Sequence, residues 1–217
     1  MKINEQILST EAYKIGTLQS TYQSLLSEGR DVINCTIGDP KDETPFKIRE
    51  ALLNSISNRT NSQYPSYTGT HELKKAITNS LNTDYKIKLD PDTMVISCNG
   101  TKEAIYSISQ LFDWSNNERI LIPSLSYPVY QMAANYQKIP YEYLPLSEET
   151  KFLPELSKIS EETLQNTQLF WINSPHNPTT TIAPKEYLEQ LIELAEKYQF
   201  IICSDECYND LYYEDQP

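Results

Sequence analysis

The chain has 217 residues, enough to bury a sizeable core and to form one domain or somewhat more. Thirty acidic against 18 basic residues give a formal charge of −12, and no dense basic cluster offers a footprint for a phosphate backbone, so no nucleic-acid partner is expected. The first residues lack the apolar core of a signal peptide and no apolar run reaches bilayer length, which predicts a cytoplasmic protein without a membrane partner.

Cys35, Cys98, Cys203 and Cys207 show no C-x-x-C spacing and read as reduced, largely buried small residues. His71 and His176 are the only histidines, too few for a metal cluster, so no metal is expected and His176 reads as a loop residue. Five glycines in 217 residues fall below the roughly 7% usual in soluble proteins, which points to backbone roles for those that remain.

In chain order, residues 9–26 read as a helix that stops at Gly29. Thr44 reads as an N-cap with Pro45 at the first helical position, and Ile48, Leu52 and Ile56 follow at helical spacing. Residues 58–69 form a polar loop, after which Thr70 precedes Leu73, Ile77 and Leu81 in a second helix. From residue 93 the pattern alternates: strand 94–98, helix 101–112, strand 119–122, helix 128–136, strand 139–144. The acidic stretch 147–167 predicts a surface connection with a short helix, and strand 168–172, helix 184–198 and strand 200–204 then form a βαβ unit. The fold predicted is α/β, a mainly parallel sheet with helices on both faces.

Three strand ends carry chemistry, because open α/β sheets bind ligands at the carboxyl ends of their strands. Asn99-Gly100-Thr101-Lys102-Glu103-Ala104 opens a helix, where free N–H groups converge, the glycine lets an anion approach and the Thr101 hydroxyl adds a donor. Asn173-Ser174-Pro175-His176-Asn177-Pro178-Thr179 and Ser204-Asp205-Glu206-Cys207-Tyr208 close two further strands. Asp205 is expected on a buried strand, where its carboxylate requires a positive partner.

These last two segments resemble the Asn-Pro-Thr-Gly and Ser-Asp-Glu-x-Tyr motifs of the class I/II pyridoxal-phosphate aminotransferases, with Thr180 in place of the glycine. Five motifs in the family order span nearly the whole chain. Ile37-Gly38-Asp39-Pro40-Lys41, the Asn99 motif and the Asp205 motif are most similar to those of N-succinyldiaminopimelate aminotransferases. The resemblance implies pyridoxal 5'-phosphate as cofactor, with its phosphate on Gly100, Thr101 and Lys102, an aromatic stack from Tyr127 and the pyridine nitrogen on Asp205. Asn177 and Tyr208 would donate to the ring phenolate oxygen, while Glu206 would make structural contacts. It further implies that Tyr64 reaches the phosphate of a neighbouring subunit in a homodimer, that the Gly38 backbone meets the substrate carboxylate, and that Asn177-Pro178 is cis. Thr180, β-branched and averse to positive φ, is expected to alter that turn.

By the same resemblance, residues 1–43 are an N-terminal arm with part of a small domain, and residues 44–217 a large cofactor-binding domain, truncated and with its sheet incomplete at the C-terminus. The activity implied is amino transfer between a small amino acid and a 2-oxo acid in lysine biosynthesis, possible partners being N-succinyldiaminopimelate and 2-oxoglutarate. A β-lyase or a non-catalytic module on the same scaffold are the alternatives. The family's cofactor-bonded lysine follows the Asp205 strand, and no lysine follows Asp205 here, so no catalytic residue is assigned and the chain as given is expected to be inactive.

Overall fold

The structure, a computed structural model, describes residues 14–38 and 40–213. It divides into two compact units, Met1–Thr70 and His71–Pro217. In the first unit, helix α1 (Lys14–Ser27) is the described part of the helix predicted over 9–26, residues 9–13 lying outside the described residues. It ends as the sequence predicts. Gly29 takes φ +75°, which glycine adopts at no steric cost, and the N–H groups of Gly29 and Arg30 return to the carbonyls of Leu26 and Leu25 at 2.9 and 3.1 Å. Helix α2 (Phe46–Ile56) takes Pro45, not Thr44, as its N-cap, with no side-chain cap bond. A 3-10 turn, Arg59–Ser62, interrupts the polar loop, capped by the Asn58 side chain on the Thr60 N–H.

The second unit opens with helix α3 (His71–Tyr85). Residues 94–98, predicted as a strand, pair with no strand among the described residues, and Met94 and Ile96 are exposed. The reason is physical: apolar alternation suits a strand, but a ladder forms only where a neighbouring edge supplies its hydrogen bonds. Helix α4 (Thr101–Ser107) tightens into a 3-10 turn at Ile108–Leu111, so the helix predicted to Phe112 ends early.

The remaining strands follow the alternation closely. They are β1 (Arg119–Pro123), β2 (Tyr141–Leu144), β3 (Thr167–Asn173) and β4 (Ile201–Asp205), with helices α5 (Val129–Gln137), α6 (Glu161–Gln165) and α7 (Lys185–Tyr198) between them. All pairs are parallel and the order is β2-β1-β3-β4. Because side chains alternate across a strand, β1 and β3 feed two cores. Leu121, Phe170 and Ile172 pack on one face with Leu191 of α7 and Leu164 of α6. Ile120, Ile122, Leu169 and Trp171 pack on the other with Tyr130 and Ala134 of α5. Helices therefore cover both faces, and each fully buried large side chain contributes on the order of 1.5–3 kcal/mol.

The cysteine reading needs correction. All four are free, but Cys35, Cys98 and Cys207 are exposed and only Cys203 is half-buried. Cys98 ends the unpaired segment and Cys207 lies in the turn after an edge strand, and both are exposed.

Candidate functional site

The site is organised by the ends of β3 and β4. Their register sets Asn173 beside Asp205. The Asn173 side-chain amide donates to the Asp205 backbone carbonyl at 2.7 Å, and its oxygen accepts the Asn177 N–H at 2.7 Å. One side chain thus joins both strand ends to the loop that follows β3.

Asp205 lies on the face that holds Tyr130 and Trp171. Its Oδ2 accepts the Tyr130 hydroxyl at 2.7 Å, and its Oδ1 the Cys207 N–H at 3.4 Å. Tyr130 is 1% exposed and stacks on Trp171 with centroids 4.4 Å apart and planes 6° from parallel. Burial first, and the hydrogen bond to Asp205 second, push its phenol far above the ordinary range, so it stays protonated and acts as the donor. The expectation of a buried Asp205 strand is corrected here. β4 is an edge strand and Asp205 is only half-buried, so the carboxylate opens toward solvent while Tyr130 holds it from the inside. The Cys207 thiol beside it, partly desolvated although the residue as a whole is exposed, is pushed up to about 11 by that desolvation and then by the Asp205 charge.

Tyr127, half-buried, meets Tyr130 edge-on at 5.9 Å, and Lys102 Nζ lies 5.9 Å from the centre of the Tyr127 ring. Gly100 starts α4 with φ +92° and has no atom within 4 Å of where a Cβ would stand, so backbone conformation, not crowding, favours glycine there. The Glu103 carboxylate accepts the Asn99 N–H at 2.6 Å and fixes the approach to the helix. On the other side, Asn177 Nδ2 donates to the Tyr208 hydroxyl at 3.2 Å, and burial leads the causes that raise the Tyr208 phenol. Glu206 accepts from Ser204 at 2.8 Å and from Asn209 at 3.1 Å, the structural contacts expected of it.

The loop after β3 has two cis peptides, Ser174-Pro175 and the predicted Asn177-Pro178. Thr180 takes φ +63°, so it holds the left-handed conformation despite its branched Cβ; the expectation that it would evade positive φ is corrected. The turn is closed by Thr180 N–H on the His176 carbonyl at 2.7 Å and His176 N–H on the Thr181 carbonyl at 2.8 Å. His176 itself is 5% exposed, with Nε2 at 2.9 Å from the Leu125 carbonyl and Nδ1 at 2.7 Å from the Thr179 hydroxyl.

Of the predicted site residues, Lys102, Tyr127 and Asp205 fall into one chain of contacts through Tyr130, and Asn177 and Tyr208 into a second, joined to the first by Asn173. Gly100 and Thr101 adjoin Lys102. Gly38 and Tyr64 belong to the first unit, where both are exposed. Tyr130 and Asn173 are the residues that sequence reasoning misses. The available signal for Tyr130 is its place three residues after Tyr127, one turn apart across a helix start. For Asn173 it is a polar residue ending an otherwise apolar strand. Among the described residues no group of three or more metal-ligating side chains occurs, and no helix is long and apolar enough to cross a membrane.

The comparisons with known proteins agree with one another. An LL-diaminopimelate aminotransferase of Aquifex aeolicus is 36% identical over 201 residues, 92% of this chain and 51% of its own. The fold superposes on substrate-bound BacF of Bacillus subtilis with a TM-score of 0.92 at 25% identity, over 100% of this chain and 55% of that one. An aspartate aminotransferase of Thermus thermophilus shares the fold with a TM-score of 0.88 at 22% identity, over 100% of this chain and 56% of that one. The chain spans about half the length of the curated relatives it matches. Residues 30–217 match the family described as aminotransferase class I and II, and the chain belongs to that family.

Proposed function

We propose that this chain supplies the cofactor cradle of a pyridoxal-phosphate-dependent enzyme that moves an amino group between a diaminopimelate-type amino acid and a 2-oxo acid. The family and its aspartate-aminotransferase-like neighbours depend on pyridoxal 5'-phosphate, and the residues fit that group. A carboxylate held by Tyr130 with one side open suits a protonated ring nitrogen; the Asn177 and Tyr208 pair suits a ring oxygen; the open, glycine-started turn at Gly100 suits a phosphate. The observation that carries the reading is the 2.7 Å Tyr130–Asp205 bond at the registered strand ends.

When bound, the cofactor supplies an electron sink for the pair left behind as the substrate α-proton departs. The chain's own residues do the rest. Asp205 keeps the proton on the ring nitrogen, and Tyr130 orients the carboxylate by donating to Oδ2. Asn177 and Tyr208 turn their donors toward the ring oxygen, Tyr127 offers its face, and Gly100, Thr101 and Lys102 receive the phosphate. Tyr64 and Gly38 take the roles that the family resemblance gives them, at a partner subunit's phosphate and the substrate carboxylate. The substrate reading follows the names of the relatives, LL-diaminopimelate aminotransferases. The motifs around Gly38, Gly100 and Asp205 support the N-succinyl derivative as a second reading.

Titrating pyridoxal phosphate into the chain tests the cradle. Saturable binding is expected, with Asp205→Ala weakening it about tenfold, equivalent to about 1.4 kcal/mol. Absence of saturable binding, or a variant that binds as the wild type does, would overturn the reading. In the complete enzyme, nitrogen-15 should pass from LL-diaminopimelate to 2-oxoglutarate; release of pyruvate and ammonia from an amino acid with a β-thioether leaving group, offered separately, would indicate a β-lyase instead.

A further inference from the structure

His176 is a buried imidazole on which two loops of the proposed site converge, and the mechanism above gives it no role. Its Nε2 faces a backbone carbonyl, that of Leu125, at 2.9 Å. A carbonyl cannot donate, so Nε2 must carry hydrogen. The Thr179 hydroxyl, 2.7 Å from Nδ1, can either donate or accept. At 5% exposure, burial disfavours the charged ring and lowers its affinity for a second proton, so the ring is neutral and Nδ1 accepts from Thr179. The side chain is then fully satisfied, as buried polar groups are.

The two bonds reach different places. Leu125 stands in the loop after β1, two residues before Tyr127. Thr179 stands in the loop after β3, two residues beyond Asn177; its one hydroxyl hydrogen, directed to Nδ1 at 2.7 Å, is then withheld from the Thr181 hydroxyl, the longer contact at 3.1 Å. Asn173 already fixes Asn177 from the strand side by accepting its N–H.

We propose that His176 is a positioning residue for the cofactor cradle: through Nε2–H to Leu125 and Nδ1 to Thr179 it ties the Tyr127 loop to the Asn177 loop, so that the stacking ring and the phenolate donor are set at a fixed separation. The functional part of this inference rests on the cofactor reading above; the tie between loops does not. A purely local role in the β3 loop would need only the Thr179 bond. The bond across 51 residues to Leu125 couples it to a second strand end.

Two near-isosteres separate the bonds. In His176→Gln the terminal amide nitrogen falls near the position of Nε2 and can still donate to Leu125. In His176→Asn the shorter side chain can serve Thr179 but cannot reach Leu125. Hydrogen exchange of the cofactor-free chain over residues 124–127 should rise about tenfold or more in His176→Asn and stay near wild type in His176→Gln. Pyridoxal-phosphate affinity should follow the same order, falling about tenfold in the asparagine variant and within twofold in the glutamine variant. With only two histidines in the chain, imidazole nitrogen spectra assign the tautomer directly, and protonated Nε2 beside bare Nδ1 is expected. Equal exchange at 124–127 in all three proteins, or a bare Nε2, would overturn the tie. Changed exchange with unchanged affinity would overturn the positioning role alone. Failure of the wild type to bind cofactor would sink the cofactor reading, while the exchange and tautomer results would still decide the tie.

Discussion

At Thr180 the chain keeps a backbone conformation that its side chain opposes. A left-handed residue with a β-carbon costs roughly 1–2 kcal/mol, and a branched one more, yet the turn closed by His176 and Thr181 holds φ at +63°. Thr180→Gly should therefore stabilise the protein, by about 0.5–1 kcal/mol once glycine's greater unfolded-state entropy is subtracted, whereas Thr180→Ala should not. Urea unfolding of the two variants checks this, and a glycine variant less stable than wild type would show that the turn relaxes elsewhere. Asp205, Asn177, Tyr208 and Gly100 are legible in the sequence as members of short motifs, and their cofactor roles are those the family resemblance implies. The sequence did not foretell Tyr130, Asn173 or His176. Their partners lie 75, 32 and 51 residues away, and no spacing rule along one chain encodes a contact that only sheet order creates.

Among the elements, β3 and β4 carry unequal shares of the stability. β3 is buried along nearly its whole length and feeds both cores; β4 is half exposed. Trp171 and Phe170 point to opposite faces, so Trp171→Ala and Phe170→Ala should each cost about 3–5 kcal/mol, while Tyr130→Phe, which keeps the stack on Trp171 and loses only the bond to Asp205, should cost about 0.5–1.5 kcal/mol. Chemical denaturation ranks the three, and a Tyr130→Phe loss as large as that of Trp171→Ala would mean that the hydroxyl, not the ring, anchors α5. The alternation of apolar runs located the four strands to within about two residues. The segment over 94–98 is likewise rich in apolar residues and does not join them, because strand propensity states what could pair and leaves unstated whether an edge is there to pair with.

At the scale of the whole chain, the described sheet has two edges, β2 and β4, and β4 is the more exposed of them. No described strand pairs beyond it, and Ile201 at its start is 48% exposed. Such an edge invites pairing with another chain. The 217-residue chain taken by itself is expected to associate as its concentration rises, and Ile201→Lys, which charges the edge, should suppress this in sedimentation velocity with little change in unfolding free energy. Unaltered association in the variant would direct attention to another surface, such as the exposed Phe46, Leu52 and Leu53 of α2.

The pairing of Asn173 with Asp205 has a further consequence, visible when the ladder is imagined one residue out of step. In a strand, a slip by one position turns every side chain to the opposite side of the sheet. A slipped β4 would aim the Asp205 carboxylate at α7 and leave Tyr130 facing a backbone. The Asn173 amide, bonded to the Asp205 carbonyl and to Asn177, acts as a vernier mark: only one alignment of the two strands satisfies it, and that alignment is the one that delivers the acid to the side where the other donors wait.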